Sequence, residues 1–586
     1  DGEELGLLGA LGFAAEHPWM EEVVWVLNFE ARGSRGPVAM FETGHGDLDL
    51  VRAFADAAPH PLASSLSAEV YARMLNDTDF TAFRSHGLSG LNFAFLGGLD
   101  AYHTALDTAE RLDPASLQHA GANAVALIRK LDGGGGERQR RGGVWFNPLG
   151  GWLLVVPAGV VLPLAGALAM ATLVVALLGA RSRRVDCRAL GSSLGLGLAA
   201  LVLAALAGAV LWRLFADNAA GVLDTPHELP HRLELTGVAL LLAGLAAVAA
   251  LGALTRRPGP NEVALGVALP LAALALLAAV FLPGVSFLFW WPLWGLLAAI
   301  IVVAVVDAER PLAILVLALG ALPGVVLLAP LAVLVYQAIT PRLATAAMTP
   351  AALLVALALP AVVAATGGRQ GLALAALVAS VATLTGSVWG AADAARPRTT
   401  DLMHLEELDT GNAFWLSRDE LPHVWTIEQM GGEPQTWEAP SLLGFLDRPL
   451  LRGGVAPASA AGPEVIEIED VRLDGRRLTV RVGSPDGAPM LRIEAASSVQ
   501  ITAVELAGQR FERAGDEATR PLRLELAGFP AEGLEVSFQL PDRWPLELHV
   551  TEQFYGLPAA PALPPGLIPD SSWTSHSRLV HRSYLR

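Results

Sequence analysis

The sequence predicts three parts in a row: a partial α/β domain, a polytopic α-helical membrane domain, and an all-β, sandwich-like C-terminal domain. Three observations predict them. Helix-like and strand-like runs alternate over residues 1–132, long Leu/Ala/Val/Gly runs fill 148–392, and period-two alternation takes over in 393–586. The chain is 53% hydrophobic and 17% charged. Such a balance is too apolar for an ordinary soluble protein, and the excess is concentrated in the middle part.

In the first part a helix is expected directly after Glu4, and an apolar strand over 25–31 delivers Glu30. A second strand ends near Gly44, a helix covers 47–57, a strand spans 90–96, and a helix runs over 114–130. This alternation implies helices packed over a sheet. Polar residues at strand ends, and in the loops that follow, then fall where open α/β sheets carry their sites. Residues 133–147 read as a linker, with Gly133 to Gly136 as its flexible part.

Eight spans are predicted in the middle part: 149–179, 189–216, 234–254, 262–282, 286–306, 312–339, 349–366 and 370–392. Each is near the roughly 20 residues that cross a bilayer. Pro323 and Pro330 are expected to kink or split the sixth. Loops after the odd-numbered spans carry Arg181, Arg183, Arg184 and Arg188, then Arg256 and Arg257, Arg310, and Arg369. Alternate loops carry only Arg232 and Arg342, so the positive-inside rule puts the Arg-rich loops in the cytoplasm. Both the first and last parts are then extracytoplasmic, in a multi-pass protein expected in a bacterial cell membrane. Arg138, Arg140 and Arg141 oppose this orientation, but the rule weakens beside long domains. Ser286-Phe287-Leu288-Phe289-Trp290-Trp291-Pro292 reads as an aromatic anchor at the interface.

Several functions are argued against. The spans contain no His and almost no ionisable residue, unlike ion pathways. Lys130 is the only lysine, so no P-loop exists and no nucleotide partner is expected. A net charge of −17 without a basic stripe excludes nucleic acid. Cys187 stands alone, so there is no disulfide framework. Gly191-Ser192-Ser193-Leu194-Gly195 has the spelling of a nucleophile elbow but no His or Asp to serve it; small residues there suit helix packing. In the last part, alternating strands and the Asp474-Gly475 turn predict the β-sandwich, and His404, His423 and His549 are scattered structural residues.

Chemistry concentrates in the first part. In Asp1-Gly2-Glu3-Glu4, adjacent carboxylates diverge, so one can hold a metal while the other serves as base toward water. Further along come Trp25-Val26-Leu27-Asn28-Phe29-Glu30-Ala31, Asn76-Asp77-Thr78-Asp79-Phe80 and Tyr102-His103-Thr104-Ala105-Leu106-Asp107-Thr108. Order and spacing of these segments resemble the membrane-anchored di-zinc aminopeptidases, the branch of vacuolar membrane protease and endoplasmic reticulum metallopeptidase. Asp409 to Ser417 and the aromatic run at Ser286 are similar to stretches of the same branch.

The resemblance implies a membrane zinc metallopeptidase cleaving peptides from their N-termini on the extracytoplasmic side, with the lipid bilayer as its other partner. Glu3 would be the general base, Glu4 and His103 would bind one zinc, and Glu30 the second. Carboxylate and imidazole suit that ion. Asp107 would hold the other ring nitrogen of His103. The family's His-x-Asp segment and bridging Asp precede the Glu-Glu pair, whereas this sequence begins on the pair without Met. His45 and Asp47 come after Glu30 and do not replace them. The expectation is therefore an N-terminally truncated chain that is inactive as given. Alternatives are a catalytically inactive peptidase-like scaffold and a transporter with a peptidase-like ectodomain.

Overall fold

The computed structural model describes most of the chain. Outside the described residues lie 133–140, 219–234, 247–258, 339–349, 361–375, 384–397, 438–449, 457–466, 541–545 and 570–575, with single positions and short gaps that include Glu4, His45, Asp100 and His103. Two compact units emerge, one from Asp1–Tyr102 with Leu106–Gly390 and the other from His103–Ala105 with Ala391–Arg586.

The first unit is built on a three-stranded sheet of β1 (Val26–Ala31), β2 (Arg35–Thr43) and β3 (Gly90–Gly97), in the order β1-β3-β2. β3 runs parallel to β1 and antiparallel to β2. Being central, β3 is covered on both faces, which is why Gly90-Leu91-Asn92-Phe93-Ala94-Phe95 reads as a nearly unbroken apolar run. Its odd positions form the core face. Leu91, Phe93 and Phe95 pack with Val38 and Met40 of β2, and Phe93 stacks on Phe29 at 4.6 Å.

Among the described residues, five α-helices belong to this part, and the second and the fifth cover this face. α1 (Leu8–Glu16) comes first, and α2 (Leu48–Ala57) buries Leu48, Leu50, Val51 and Phe54, with Phe54 edge-on to Phe93 at 5.2 Å. α3 (Ser65–Tyr71) and α4 (Asp79–Ser85) follow, and α5 (Pro114–Leu131) adds Leu127 to the core. The helix expected straight after Glu4 starts only at Leu8. Gly6 and Leu7 both take positive φ, and their N–H groups donate to the Glu3 carbonyl at 3.0 and 2.8 Å, forming a turn first.

A β-hairpin follows, β4 (Gly143–Leu149) with β5 (Trp152–Pro157), turned at Gly150 and Gly151. This corrects two boundaries. The linker expected to reach 147 gives way to a strand from Gly143, and the span expected from 149 becomes α6 (Ala158–Arg181). The Leu153-Leu154-Val155-Val156 run satisfies its backbone against β4 rather than within a helix. Among the described residues, four helical segments are long and apolar enough to cross a membrane: Ala158–Arg181, Pro260–Phe281, Phe287–Val306 and Pro311–Val335. Cys187–Val202 and Pro350–Pro360 are shorter apolar helices. The expected spans 234–254 and 370–392 fall largely outside the described residues.

α7 (Cys187–Asn218) and α8 (Pro260–Phe281) approach closely at Gly197 and Gly266, where a Cβ on either would strike the facing backbone. Ser193 lies buried in this seam, which gives the small-residue run its packing role. Neither Pro323 nor Pro330 splits α10 (Arg310–Ala338), which continues past both after α9 (Phe287–Val306). The aromatic run opening α9 differs from its expected interfacial role at two rings. Phe287 and Trp290 are buried, and Phe146 of β4 stacks on Phe287 at 4.6 Å. Ser65 adds a polar tie, its hydroxyl donating to the Gly284 carbonyl at 2.7 Å.

The second unit contains two large sheets. The eight-stranded one runs Leu522–Ala527, Met490–Ser497, Leu546–Tyr555, Ser577–Leu585, Met403–Glu407, Asn412–Ser417, Leu450–Val455, Gln435–Trp437. The five-stranded one is made of Glu467–Asp474, Arg477–Gly483, Leu534–Gln539, Ala503–Leu506 and Gln509–Glu512. Val480, Val536 and Phe538 of the smaller sheet share one core with Leu491, Ile493, Leu548 and Val550 of the larger. Departures from a purely antiparallel all-β design include the parallel pairings of Ser577–Leu585 with Met403–Glu407 and of Leu567–Pro569 with Arg398–Thr400, and the short helix Val424–Gln429.

Candidate metal centre

The face of the three-stranded sheet opposite its core carries the polar side chains. β1 and β3 pair with Asn28 opposite Asn92 and Glu30 opposite Ala94, so alternation puts Asn28, Glu30 and Asn92 on one face. β2 would place Glu42 on the core face if its register were regular. Instead the ladder shifts between Met40 and Glu42, and Glu42 lies opposite Asn92. The extra residue, Phe41, is thus what turns this carboxylate onto the polar face.

Hydrogen bonds join the row. The Asn28 side-chain amide donates to Glu30 Oε1 at 2.7 Å and to Asn92 Oδ1 at 3.1 Å. The Asn92 amide donates to Glu42 Oε2 at 2.9 Å and Thr78 Oγ1 at 2.8 Å. Arg84 of α4 completes it with an ion pair to Glu42. Glu42 is 2% exposed and Asn92 fully buried. Burial outweighs its hydrogen bonds and the Arg84 charge, and pushes the Glu42 carboxyl above the usual range. Tyr71 feels the same surroundings. Burial raises its phenol pKa most, and the charges of Glu42, Asp77 and Glu30 add to the rise. Arg32, two residues beyond Glu30, has its guanidinium 5.9 Å from the Tyr102 ring centre, and burial holds it below its ordinary value.

The sequence candidates are placed as follows. Glu3 is half-buried in the turn before α1. Glu30 is half-buried on β1, one residue before its end. Asp107 is exposed in the loop after β3, ahead of α5. Glu4 and His103 lie outside the described residues. Among the described residues, no three His, Cys, Asp or Glu side chains come together in a cage. Asp47 has a structural contact, its carboxylate accepting from the Gly90 N–H at 3.1 Å.

Of the expected ligands, Glu30 is the one among the described residues, and carboxylate oxygen is a donor that a zinc-type cation accepts. Glu30 offers carboxylate oxygen with an amide already seated on Oε1, and three carboxylates act together on Tyr71. The surroundings are acidic as well as preorganised.

The matching of the N-terminal part is direct. Residues 1–128 match Peptidase family M28. Relatives of this segment carry the names endoplasmic reticulum metallopeptidase 1 and vacuolar membrane protease. Human endoplasmic reticulum metallopeptidase 1 is 35% identical over 164 residues, 27% of this chain and 18% of its own length. The Mus musculus protein of that name is 36% identical over 166 residues, again 27% and 18%. Vacuolar membrane protease of Candida albicans is 33% identical over 129 residues, 22% of this chain and 15% of its own. The alignments thus span less than a fifth of each of these relatives. No solved structure matches the chain.

Sequence reasoning passed over Asn28, Asn92, Glu42 and Arg84. The signal was an asparagine in the middle of each of two apolar strands, at 28 and 92. A buried amide there needs partners on the same face. The bulge that brings Glu42 to them had no sequence signal of its own.

Proposed function

We propose that the chain is a membrane-bound zinc metallopeptidase of aminopeptidase type, working on peptide N-termini at the extracytoplasmic side. The match of residues 1–128 to Peptidase family M28, together with four membrane-length helices among the described residues, carries this reading. Glu4 and His103 hold one zinc and Glu30 a second, with Asp107 steadying the His103 ring. Zinc, when bound, supplies Lewis acidity toward the scissile carbonyl and acidifies water. Glu3 takes a proton from the attacking water and passes it to the amine nitrogen as the carbon–nitrogen bond breaks. The polar face of the sheet holds Glu30 still while this happens.

The test uses a version in which the upstream ligands implied by the resemblance are supplied ahead of Asp1, in detergent, with aminoacyl and peptide substrates. Release of the N-terminal residue that stops with a chelator and returns with zinc is the expected result. Cleavage only at internal bonds would replace the aminopeptidase type with an endopeptidase. Hydrolysis unaffected by chelation would remove the metallopeptidase reading. For orientation, reporters fused after Lys130 and after Arg586 are both expected on the extracytoplasmic side, and a cytoplasmic signal from either would overturn the even number of spans.

A further inference from the structure

We infer that Asn28, Asn92 and Glu42 are positioning residues that fix the Glu30 carboxylate for a divalent metal, an inference resting on Glu30 as a zinc ligand. The inference comes from how completely the two amides are used. Both Asn28 amide protons are spent, on Glu30 and Asn92, and both Asn92 amide protons on Glu42 and Thr78. Turning Asn92 over would set its oxygen against the buried Glu42 carboxylate. Turning Asn28 over would set its oxygen against both Glu30 and the Asn92 oxygen. Only one arrangement satisfies every donor, so the amides have a single orientation.

The far end is anchored as well. Glu42 is paired with Arg84, and Thr78 immediately precedes α4, its N–H donating to Thr81 Oγ1 at 3.3 Å. The fixed end is therefore a helix and a bulged strand, and the working end is one oxygen of Glu30. A carboxylate ligand on its own rotates freely about its side-chain bonds. One whose Oε1 accepts from a locked amide presents the remaining lone pairs in a set direction. From Asn28 through Asn92 to Glu42 the donors point one way, so each bond polarises the next.

The experiment measures zinc affinity of the metal-free full chain in detergent, by competition with a chelating indicator, alongside the visible spectrum with cobalt(II) in place of zinc. Asn28→Ala and Asn92→Leu are compared with Glu30→Gln. Both asparagine variants are expected to weaken zinc binding roughly 10- to 100-fold and to shift the cobalt band, since the Glu30 oxygens lose their direction. A role confined to folding would change the melting temperature of the metal-free chain and leave the cobalt band in place. Asn28 is only half-buried, so its variant keeps the test open if Asn92→Leu fails to fold. Wild-type affinity and spectrum in Asn28→Ala, with both lost in Glu30→Gln, would overturn the positioning role and leave the zinc site standing. Unchanged zinc binding in Glu30→Gln would remove Glu30 as a ligand and the positioning role with it.

Discussion

Glu3 and Glu4 are adjacent, so their side chains leave the backbone in different directions, and one substitution can separate two roles. Glu3→Gln keeps size and removes the base. It is expected to lower kcat by about 10²- to 10⁴-fold with zinc content unchanged. Glu4→Gln removes a charged ligand, so zinc content itself should fall, as it should in His103→Ala. Metal analysis beside turnover distinguishes the two; an active Glu3→Gln that keeps its metal would end the base assignment. At this scale the sequence offers candidate ligands and leaves their supporting contacts unread. Glu30 could be singled out because the resemblance implies a ligand at the acid ending that strand. Glu42 could not, because its face depends on one extra residue in the β2 ladder, and counting alternation along 38–44 points it the wrong way. Arg84 was hidden for a similar reason. Its partner is 42 residues away, and no local pattern announces a long-range ion pair.

Among elements, helices and strands of strong period were legible and their joints were not. The strand at 90–96 and the helix at 47–57 appear within a residue of their expected places, because burial on one or both faces writes a clear pattern. The hairpin of β4 and β5 was absorbed into a span, since Trp152 to Val156 is as apolar as the helix that follows. Composition there cannot tell a strand from a helix; the partner strand decides. The α7–α8 seam gives a test at this scale. Gly266 faces the Ser193 backbone, and a Cβ would collide with it. Gly266→Leu is expected to push the helices apart at a cost of about 1–3 kcal/mol, read as earlier thermal unfolding in detergent. Gly166→Leu on α6, where a Cβ meets nothing within 4 Å, should leave the midpoint close to wild type. Equal melting of both variants would show that the seam is not closely packed.

For the molecule as a whole, the two units respond to acid through different groups, and the second has the clearer chemistry. In its eight-stranded sheet, the His549 and His581 rings stack 5.7 Å apart. Ser583 Oγ sits 3.1 Å from His549 Nδ1 and 3.2 Å from His581 Nε2, while Thr551 Oγ1 meets His581 Nδ1 at 3.0 Å. Glu547 lies 3.4 Å from His549 Nε2, and Asp409 accepts from the Ser583 N–H. Burial, then the neighbouring His549, pushes the His581 pKa down to about 4, and burial lowers His549 despite Glu547, Glu494 and Asp409. Histidine in an unfolded chain titrates near 6.5. The unfolded state thus binds the proton first, so stability is whole above pH 6.5 and declines as pH falls toward 4. For His581 alone the full loss is on the order of 3 kcal/mol, and about 2 kcal/mol of it is gone by pH 5. Hydrogen exchange of the strand Ser577–Leu585, corrected for the intrinsic effect of pH, reads this as a lower opening free energy at pH 5 than at pH 7.5. His581→Gln removes one titrating ring, so its difference between the two pH values should be smaller than wild type by about that amount. Exchange in the first unit, followed at β3, supplies the comparison, since His549 and His581 belong to the second unit. A wild-type opening energy that stays level or rises on acidification would mean that both rings are charged in the folded state, and that Glu547 and Asp409 outweigh their burial.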